Sequence, residues 1–166
     1  MLTLRHSTLI ALALALFIPS GANAIFPFSS KPNPDSEIIK VKIERINLSE
    51  QFRTDDPMIA FERRHLLFGA YKSEDYYARE GRYYTIFWET KDRAPGLVVR
   101  FEYIQANTED KIHVKEVAVD KVKRRNVTKF NVIGEEFQEN GNVLAWRATL
   151  VRGDEVVATY ESYLWD

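Results

Sequence analysis

The second half of the chain is a succession of apolar segments about ten residues long, each followed by a turn signal. From Leu97 to Tyr103 every second residue is apolar or aromatic, which is the period of a half-buried strand. Polar residues at 107–110 and a Gly-containing stretch at 138–142 give turns. Convincing helical periodicity over four turns is absent from the sequence. The pattern therefore predicts an all-β fold, an antiparallel two-sheet β-sandwich of seven to eight strands.

The first predicted strand, 38–46, alternates Ile39, Val41 and Ile43 with charged residues, and its lysines favour an edge position. Residues 47–57 read as a loop, and residues 73–80 as a loop or one helical turn. The predicted strands cover 38–46, 66–71, 82–90, 97–106, 112–122, 126–137, 143–151 and 156–165.

The last hairpin can be paired in two registers. A two-residue loop at Gly153-Asp154 places Trp146 opposite Glu161, whereas an odd loop or a bulge places it opposite Ser162. The odd loop also pairs Leu150 with Ala158 and gives the better core, on a face shared with Leu144. We therefore expect the odd loop or a bulge.

The first 24 residues have the pattern of a secretory signal peptide. A basic start is followed by an apolar run from Thr8 to Ile18, then Pro19, and then the small residues of Ala22-Asn23-Ala24. The apolar run is too short for a permanent span, which needs about 20 residues. We expect cleavage after Ala24, a periplasmic or secreted protein, and no membrane anchor after cleavage. The composition of residues 25–36 predicts a Pro/Ser-rich flexible lead-in. We expect residues 37–166 to form a single β-sandwich domain.

Composition excludes several classes of function. The chain has no cysteine, which rules out thiol catalysis and cysteine-based zinc sites. Its net charge of −1 gives no electrostatic reason to bind nucleic acid. An exported domain without disulfides depends on its core alone, which favours a bacterial periplasmic or secreted protein.

Four segments resemble strands of fibronectin type III domains, a family of immunoglobulin-like β-sandwiches. Residues 85–88 resemble strand B with its Trp, and residues 99–103 resemble strand C. Residues 130–134 are similar to strand E, and residues 143–150 to strand F, with Trp146 where the family usually has Tyr. The resemblance covers about residues 63–165 and lacks the Pro-rich E–F turn and the immunoglobulin disulfide. It implies a fold and not a function.

Aromatic residues between positions 71 and 88 are the candidate ligand-binding group. On a strand, Tyr84 and Trp88 face the side opposite to Tyr83, so one of the two sets lies inside. Exposed flat rings on a sandwich can stack on sugar rings, whereas buried rings would form a packed layer. Both readings stay open, and the candidate ligand-binding residues are Tyr76, Tyr77, Tyr84 and Trp88.

The sequence predicts no catalytic residue, no metal site and no cofactor. His65 and His113 have no second ligand at a metal spacing. The carboxylates of Glu135 and Glu136 fit a solvated strand face, although a small hydrolase using one of them is a remote alternative. A serine nucleophile elbow and a Gly-rich phosphate loop are both absent from the sequence.

Three surface motifs have simpler structural explanations. Arg152-Gly153-Asp154 has the integrin-type tripeptide, but Gly-Asp is also what a tight β-turn favours. Asn47 and Asn126 begin glycosylation sequons, whose chance occurrence is common. The basic run 121–125 fits a solvated turn that could also contact an acidic partner.

These patterns favour an exported, non-enzymatic binding or assembly module that acts through protein–protein contacts, with another exported protein as partner. The alternative is a carbohydrate-binding module that uses exposed Tyr and Trp side chains to hold a glycan.

Overall fold

The computed structural model describes residues 34–48 and 55–165. These residues form an all-β, two-sheet sandwich of seven antiparallel strands, as the alternation predicts. The predicted signal peptide, and the predicted lead-in as far as residue 33, lie outside the described residues. The strands are β1 (Ser36–Ile46), β2 (Gly81–Thr90), β3 (Leu97–Gln105), β4 (Ile112–Val119), β5 (Arg125–Ile133), β6 (Val143–Arg152) and β7 (Glu155–Glu161). The helices are α1 (Pro57–Leu66), α2 (Ser73–Tyr77) and α3 (Glu135–Asn140).

One sheet has the order β1-β2-β5 and the other the order β4-β3-β6-β7. The first strand is an edge strand, as its lysines indicate. Edge strands β1 and β7 lie against each other on one side of the sandwich. On the other side, Lys115 of β4 donates to the carbonyl oxygen of Asn131 in β5 over 2.7 Å.

The core lies between the two sheets and is rich in aromatic rings. Tyr84 of β2 and Phe101 of β3 have ring centroids 4.6 Å apart, and Phe101 stacks on Phe130 of β5 at 5.3 Å. Trp146 of β6 completes the group, 5.9 Å from Tyr84. Burial of large rings is the main source of stability for a domain without disulfides. The core residues below 2% exposure include Tyr84, Ile86, Trp88, Leu97, Val99, Phe101, Tyr103, Val132, Ala148 and Leu150.

The predicted inner face of β1 is partly wrong. A register shift between Ile38 and Lys40 makes Ile38 the buried residue, while Ile39 is exposed. Val41 packs against the core as expected, but Ile43 is also exposed. The bulge changes which side of the strand faces inward, and sequence alternation alone cannot locate it.

The last hairpin has the register that the sequence favours. Leu150 pairs with Ala158 and Ala148 with Tyr160, with a bulge between Leu150 and Val151. The Ser162 amide donates to the Trp146 carbonyl oxygen over 2.9 Å. Leu144 is the exception: a register irregularity at Ile104/Gln105 accompanies its exposure to solvent, so its predicted place in the core is wrong.

Four predicted strand segments are wrong, and one of them is 162–165, because β7 ends at Glu161. Residues 66–71 are the end of α1 and the following turn, not a strand, and residues 134–137 enter α3. The fourth strand, β4, ends at Val119 rather than at residue 122. Asp56 caps the start of α1, because its carboxylate accepts from the Met58 amide over 2.8 Å, and Pro57 is the first helical residue. These are ordinary helix-start signals.

Candidate functional site

Two of the four predicted ligand-binding residues lie in the core. Tyr84 and Trp88 are each 1% exposed, so no ligand reaches either ring, and their predicted role is wrong. The physical reason is the alternation of β2, whose Tyr84–Trp88 side faces the second sheet. Trp88 also donates its ring N–H to the hydroxyl of Thr128 over 3.0 Å, so its polar group is satisfied inside the fold.

The other two candidates lie on α2. Tyr77 is 57% exposed, and Tyr76 is half-buried. Both stay candidates for contact with a ligand. The four residues therefore do not form one site: two of them belong to the core, and two belong to the segment that joins β1 to β2.

Residues 57–80, which we call the helical connection, attach to the outer side of the β1-β2-β5 sheet. Leu67 and Ala70 are buried, and so is Ile46, on the face of β1 away from the main core. Tyr83 donates its hydroxyl to the Arg79 carbonyl oxygen over 2.8 Å. The carbonyl oxygen of Glu80 accepts from the Gly134 amide over 2.8 Å, which ties the connection to the start of α3.

Two charged side chains fix the turn between α1 and α2. Arg79 donates to the carbonyl oxygen of Phe68, and to that of Leu66 over 3.5 Å. One carboxylate oxygen of Asp75 accepts from the amides of Tyr71 and Lys72, each over 3.0 Å. These backbone donors, with a smaller contribution from Arg79, hold the pKa of Asp75 below its usual value. The turn is therefore tied from both sides.

On this fixed frame, large side chains project into solvent, among them Ile59, which is 42% exposed. We call Met58, Phe61, Phe68, Tyr71 and Tyr77 the exposed apolar surface. Phe68 and Tyr71 are 83% and 86% exposed. Met58 and Phe61 lie three residues apart and so share one face of α1, and Phe68 follows in the turn after the helix. Exposed apolar patches are a known mark of interaction sites, which makes this segment a candidate.

Sequence reasoning missed Met58, Phe61 and Phe68 as functional candidates. The available signal was the Asp56-Pro57 helix start followed by apolar residues at helical spacing. This signal was weak, because the large apolar side chains of α1 face solvent and so do not form the buried stripe by which a helix is usually recognised.

A second polar cluster surrounds Glu136 at the start of α3. Its carboxylate accepts from the Tyr103 hydroxyl, and from the Lys115 ammonium over 2.6 Å. Burial, followed by the hydrogen bond to Glu136, raises the pKa of Tyr103 well above its usual value. His113 stacks on Tyr103 with ring centroids 5.3 Å apart, and burial next to Lys111 lowers its pKa.

This cluster is best explained as a structural bridge between α3 and β3. Both oxygens of Glu136 are engaged by Tyr103 and Lys115. Fully buried Gln105 adds a hydrogen bond to the Gly141 carbonyl oxygen over 2.9 Å, which ties down the end of α3. Glu135 is exposed, and no contact places it beside Glu136 as the second carboxylate that glycoside hydrolysis needs.

Two of the three surface motifs have a side chain that contacts another part of the chain. Arg152 of the Arg-Gly-Asp turn donates to the Asp92 carboxylate and, over 3.3 Å, to the Asp92 carbonyl oxygen. The amide of Asn126 donates to the Lys123 carbonyl oxygen over 2.6 Å, so this sequon side chain closes a turn. Most of the basic run is exposed in the β4–β5 connection.

Across residues 34–48 and 55–165, His, Asp and Glu side chains form no group that could hold a metal ion. The helices in these ranges are each too short or too polar to cross a membrane. Comparison with protein-family models, with curated proteins and with solved structures finds no match to this chain.

Proposed function

We propose that this chain is an exported, non-enzymatic β-sandwich module that binds another exported protein through the exposed apolar surface. The observation that carries the proposal is the combination of solvent exposure and fixed geometry. Phe68 and Tyr71 project almost completely into solvent, yet Arg79 and Asp75 tie down the turn that bears them.

A fixed frame favours binding for a physical reason. When a loop or a side chain becomes ordered on association, the lost conformational entropy weakens the binding free energy gained from buried area. A turn that is already ordered in the free protein avoids much of this loss. Aromatic residues, Met and Arg are also the residue types enriched at protein interfaces. The helical connection contains exposed residues of all three kinds.

We also propose that the fold is a variant of the fibronectin type III arrangement. The segments that resemble strands B and E are β2 and β5, which pair with each other. Those that resemble C and F are β3 and β6, which also pair. Two features set the chain apart from that pattern: the helical connection between the first two strands, and α3 between β5 and β6.

The test is affinity capture from the compartment to which the protein is exported, using the mature chain from Ile25 as bait. Phe61→Ser with Phe68→Ser should abolish enrichment of a partner that the wild-type chain retains. Val114→Ser is the matched control, because Val114 is 51% exposed but lies on β4, an edge strand of the other sheet. Equal enrichment by all three baits, or turnover of a substrate without any enriched protein, would contradict the proposal.

Carbohydrate binding is the second candidate function, and exposed Tyr71 and Tyr77 favour it. Flat phenol rings stack on sugar rings, whereas Met58 and Phe61 add nothing specific to such stacking. A glycan array therefore separates the two functions: binding lost in Tyr71→Ala and Tyr77→Ala but kept in Phe61→Ser supports a glycan. An array without signal excludes it.

A further inference from the structure

The strand β4 is the least covered of the edge strands. Each sheet ends in two edge strands, and three of these four strands have a further neighbour: β1 and β7 lie against each other, and β5 contacts α3. Among the described residues, β3 is the one element that packs extensively against β4. The ladder between β3 and β4 has no register shift, so β4 keeps a regular free edge along its length.

An inward-pointing lysine can protect an edge strand from a partner strand, and Lys115 lies on the inner side of β4, opposite Phe101. Its charge is compensated within the fold. The ammonium donates to the Glu136 carboxylate over 2.6 Å and to the Asn131 carbonyl oxygen over 2.7 Å. These contacts hold the side chain on the inner side of β4. The backbone stays accessible, because every second residue of an edge strand directs its N–H and C=O away from its neighbour.

The outer side of β4 is apolar toward one end and acidic toward the other. Ile112, Val114 and Glu116 alternate along the strand and share the side away from the core. All three are exposed. One oxygen of the Glu116 carboxylate accepts from the Arg100 side chain over 2.6 Å, and the other has no partner among residues 34–48 and 55–165. A strand added beside β4 would place a side chain next to Glu116, across from Arg100.

A second copy of this chain is a poor occupant of the edge. When two antiparallel copies of one strand pair about a two-fold axis, the axis passes through one residue position, and that residue lies opposite its own copy. The two registers with the longest overlap of β4 are centred on Lys115 and on Glu116. Both registers place like charges directly opposite each other, which destabilises the pairing. The edge therefore suits a different chain.

We propose that the free edge of β4 binds an extended segment of another protein as an added antiparallel strand, with the pattern basic-x-apolar-x-apolar. The basic residue faces Glu116, and the two apolar residues face Val114 and then Ile112, because an antiparallel partner runs in the reverse order. The residue that faces Lys115 is not basic. Backbone hydrogen bonds supply affinity and the alternate side chains supply specificity. This is a second interaction surface, on the sheet that does not carry the helical connection.

The probe is a random peptide library displayed on phage, selected against the mature wild-type chain. Three further baits carry Glu116→Lys, Val114→Ser or the matched control Val127→Ser. Val127 is 53% exposed and lies on β5, an edge strand of the other sheet. We expect wild type and Val127→Ser to enrich peptides with the proposed pattern. Val114→Ser should bind them more weakly, and Glu116→Lys about fivefold more weakly or worse while it enriches peptides with an acidic first residue.

Hydrogen exchange on the wild-type chain tests whether a selected peptide binds as a strand. An added strand should slow exchange of the β4 amides and leave that of the β5 amides unchanged. Binding without slower exchange in β4 would overturn the proposal. The same peptides on wild type and Glu116→Lys, or no enriched peptide on any bait, would overturn it as well.

Two comparisons separate this edge from other sites. A bait with Phe61→Ser and Phe68→Ser should select the same peptides as wild type, and their loss would move the site to the exposed apolar surface. In affinity capture, a partner of the exposed apolar surface is lost with that bait and kept by Val114→Ser, and a partner of β4 shows the reverse. A wild-type dimer in sedimentation velocity that Val114→Ser abolishes would overturn the partner strand in favour of a second copy. Thermal unfolding of each bait checks that these exposed substitutions leave the fold intact.

Discussion

Single aromatic residues connect the two sheets, and Trp146 is the clearest case. Its ring centroid lies 5.9 Å from that of Tyr84 in the opposite sheet and 6.1 Å from those of Phe101 and Tyr160. The indole therefore contacts groups from three strands at once.

Trp146→Ala should lower the free energy of unfolding by about 3–5 kcal/mol, the usual effect of emptying a large buried aromatic site. Without a disulfide in reserve, this is a large part of a typical total of about 5–15 kcal/mol. Urea unfolding of the purified domain measures it. Leu144→Ala, on the same strand but exposed, should change stability by less than about 0.5 kcal/mol. Equal small effects for both variants would refute the assigned core.

His113 makes stability depend on pH in a defined direction. Burial, with Lys111 and Lys115 nearby, lowers the pKa of His113 in the fold, and Glu136 opposes this only partly. The unfolded chain therefore takes up a proton near pH 6.5 while the folded protein does not, so stability falls as pH drops below about 6.5.

His113→Phe keeps a ring stacked on Tyr103 but removes the titration. This variant should lose less stability than wild type between pH 7 and pH 5, as followed by thermal melts at each pH. An NMR titration of wild type should give His113 a pKa below 6.5. Parallel pH profiles for the two proteins would show that the histidine is not responsible.

At the scale of elements, most strands were predictable from sequence, whereas α1 and α3 were not, and α2 was predicted only as one of two alternatives for residues 73–80. The strands β2, β3 and β6 face a core on one side, so their alternation is visible in the sequence. In α1 the large apolar residues face solvent, so no helical core stripe marks it. The apolar run of residues 66–71 then resembled a strand, and only the turn geometry at Gly69, with φ of 81°, shows otherwise.

The candidate site was half predictable for the same reason. The aromatic cluster around Tyr76 and Tyr77 was visible as composition, but the side of β2 that faces inward depends on where the second sheet lies. Tyr84 and Trp88 were predicted to contact a ligand, whereas the exposed Phe61 and Phe68 were not among the candidates. Both errors have one cause: tertiary packing, and not local sequence, decides which side chains are exposed.

The helix α3 should depend on the side chain of Glu136 for its attachment. Glu136→Ala leaves the Lys115 ammonium and the Tyr103 hydroxyl without their shared acceptor. The loss should cost about 1–3 kcal/mol of unfolding free energy, measured in urea. Glu135→Ala is the matched control one residue earlier, exposed, with an expected change within about 0.5 kcal/mol. An equal loss in both would show that helix propensity, and not the bridge, is responsible.

At the scale of the whole molecule, the sandwich has two chemically different ends. The helical connection meets the start of α3 at one end, where Glu80 joins Gly134. At the other end, Arg152 of the last hairpin binds Asp92 of the β2–β3 turn. Ser36, which pairs with Thr90, and Glu155, which pairs with Arg152, both begin their strands at this second end. Strands β1 and β7 therefore run in the same direction.

That shared direction has a mechanical consequence. A force that pulls Ser36 and Glu161 apart acts along β1 and β7 and shears each past its neighbour, so the ladder hydrogen bonds, which lie across the strands, are loaded together. A force applied between Ser36 and Lys91, at the same end, peels β1 from β2 one bond at a time. Single-molecule pulling should therefore give a higher rupture force for the first attachment, making the domain stiff along its length and weak when unzipped.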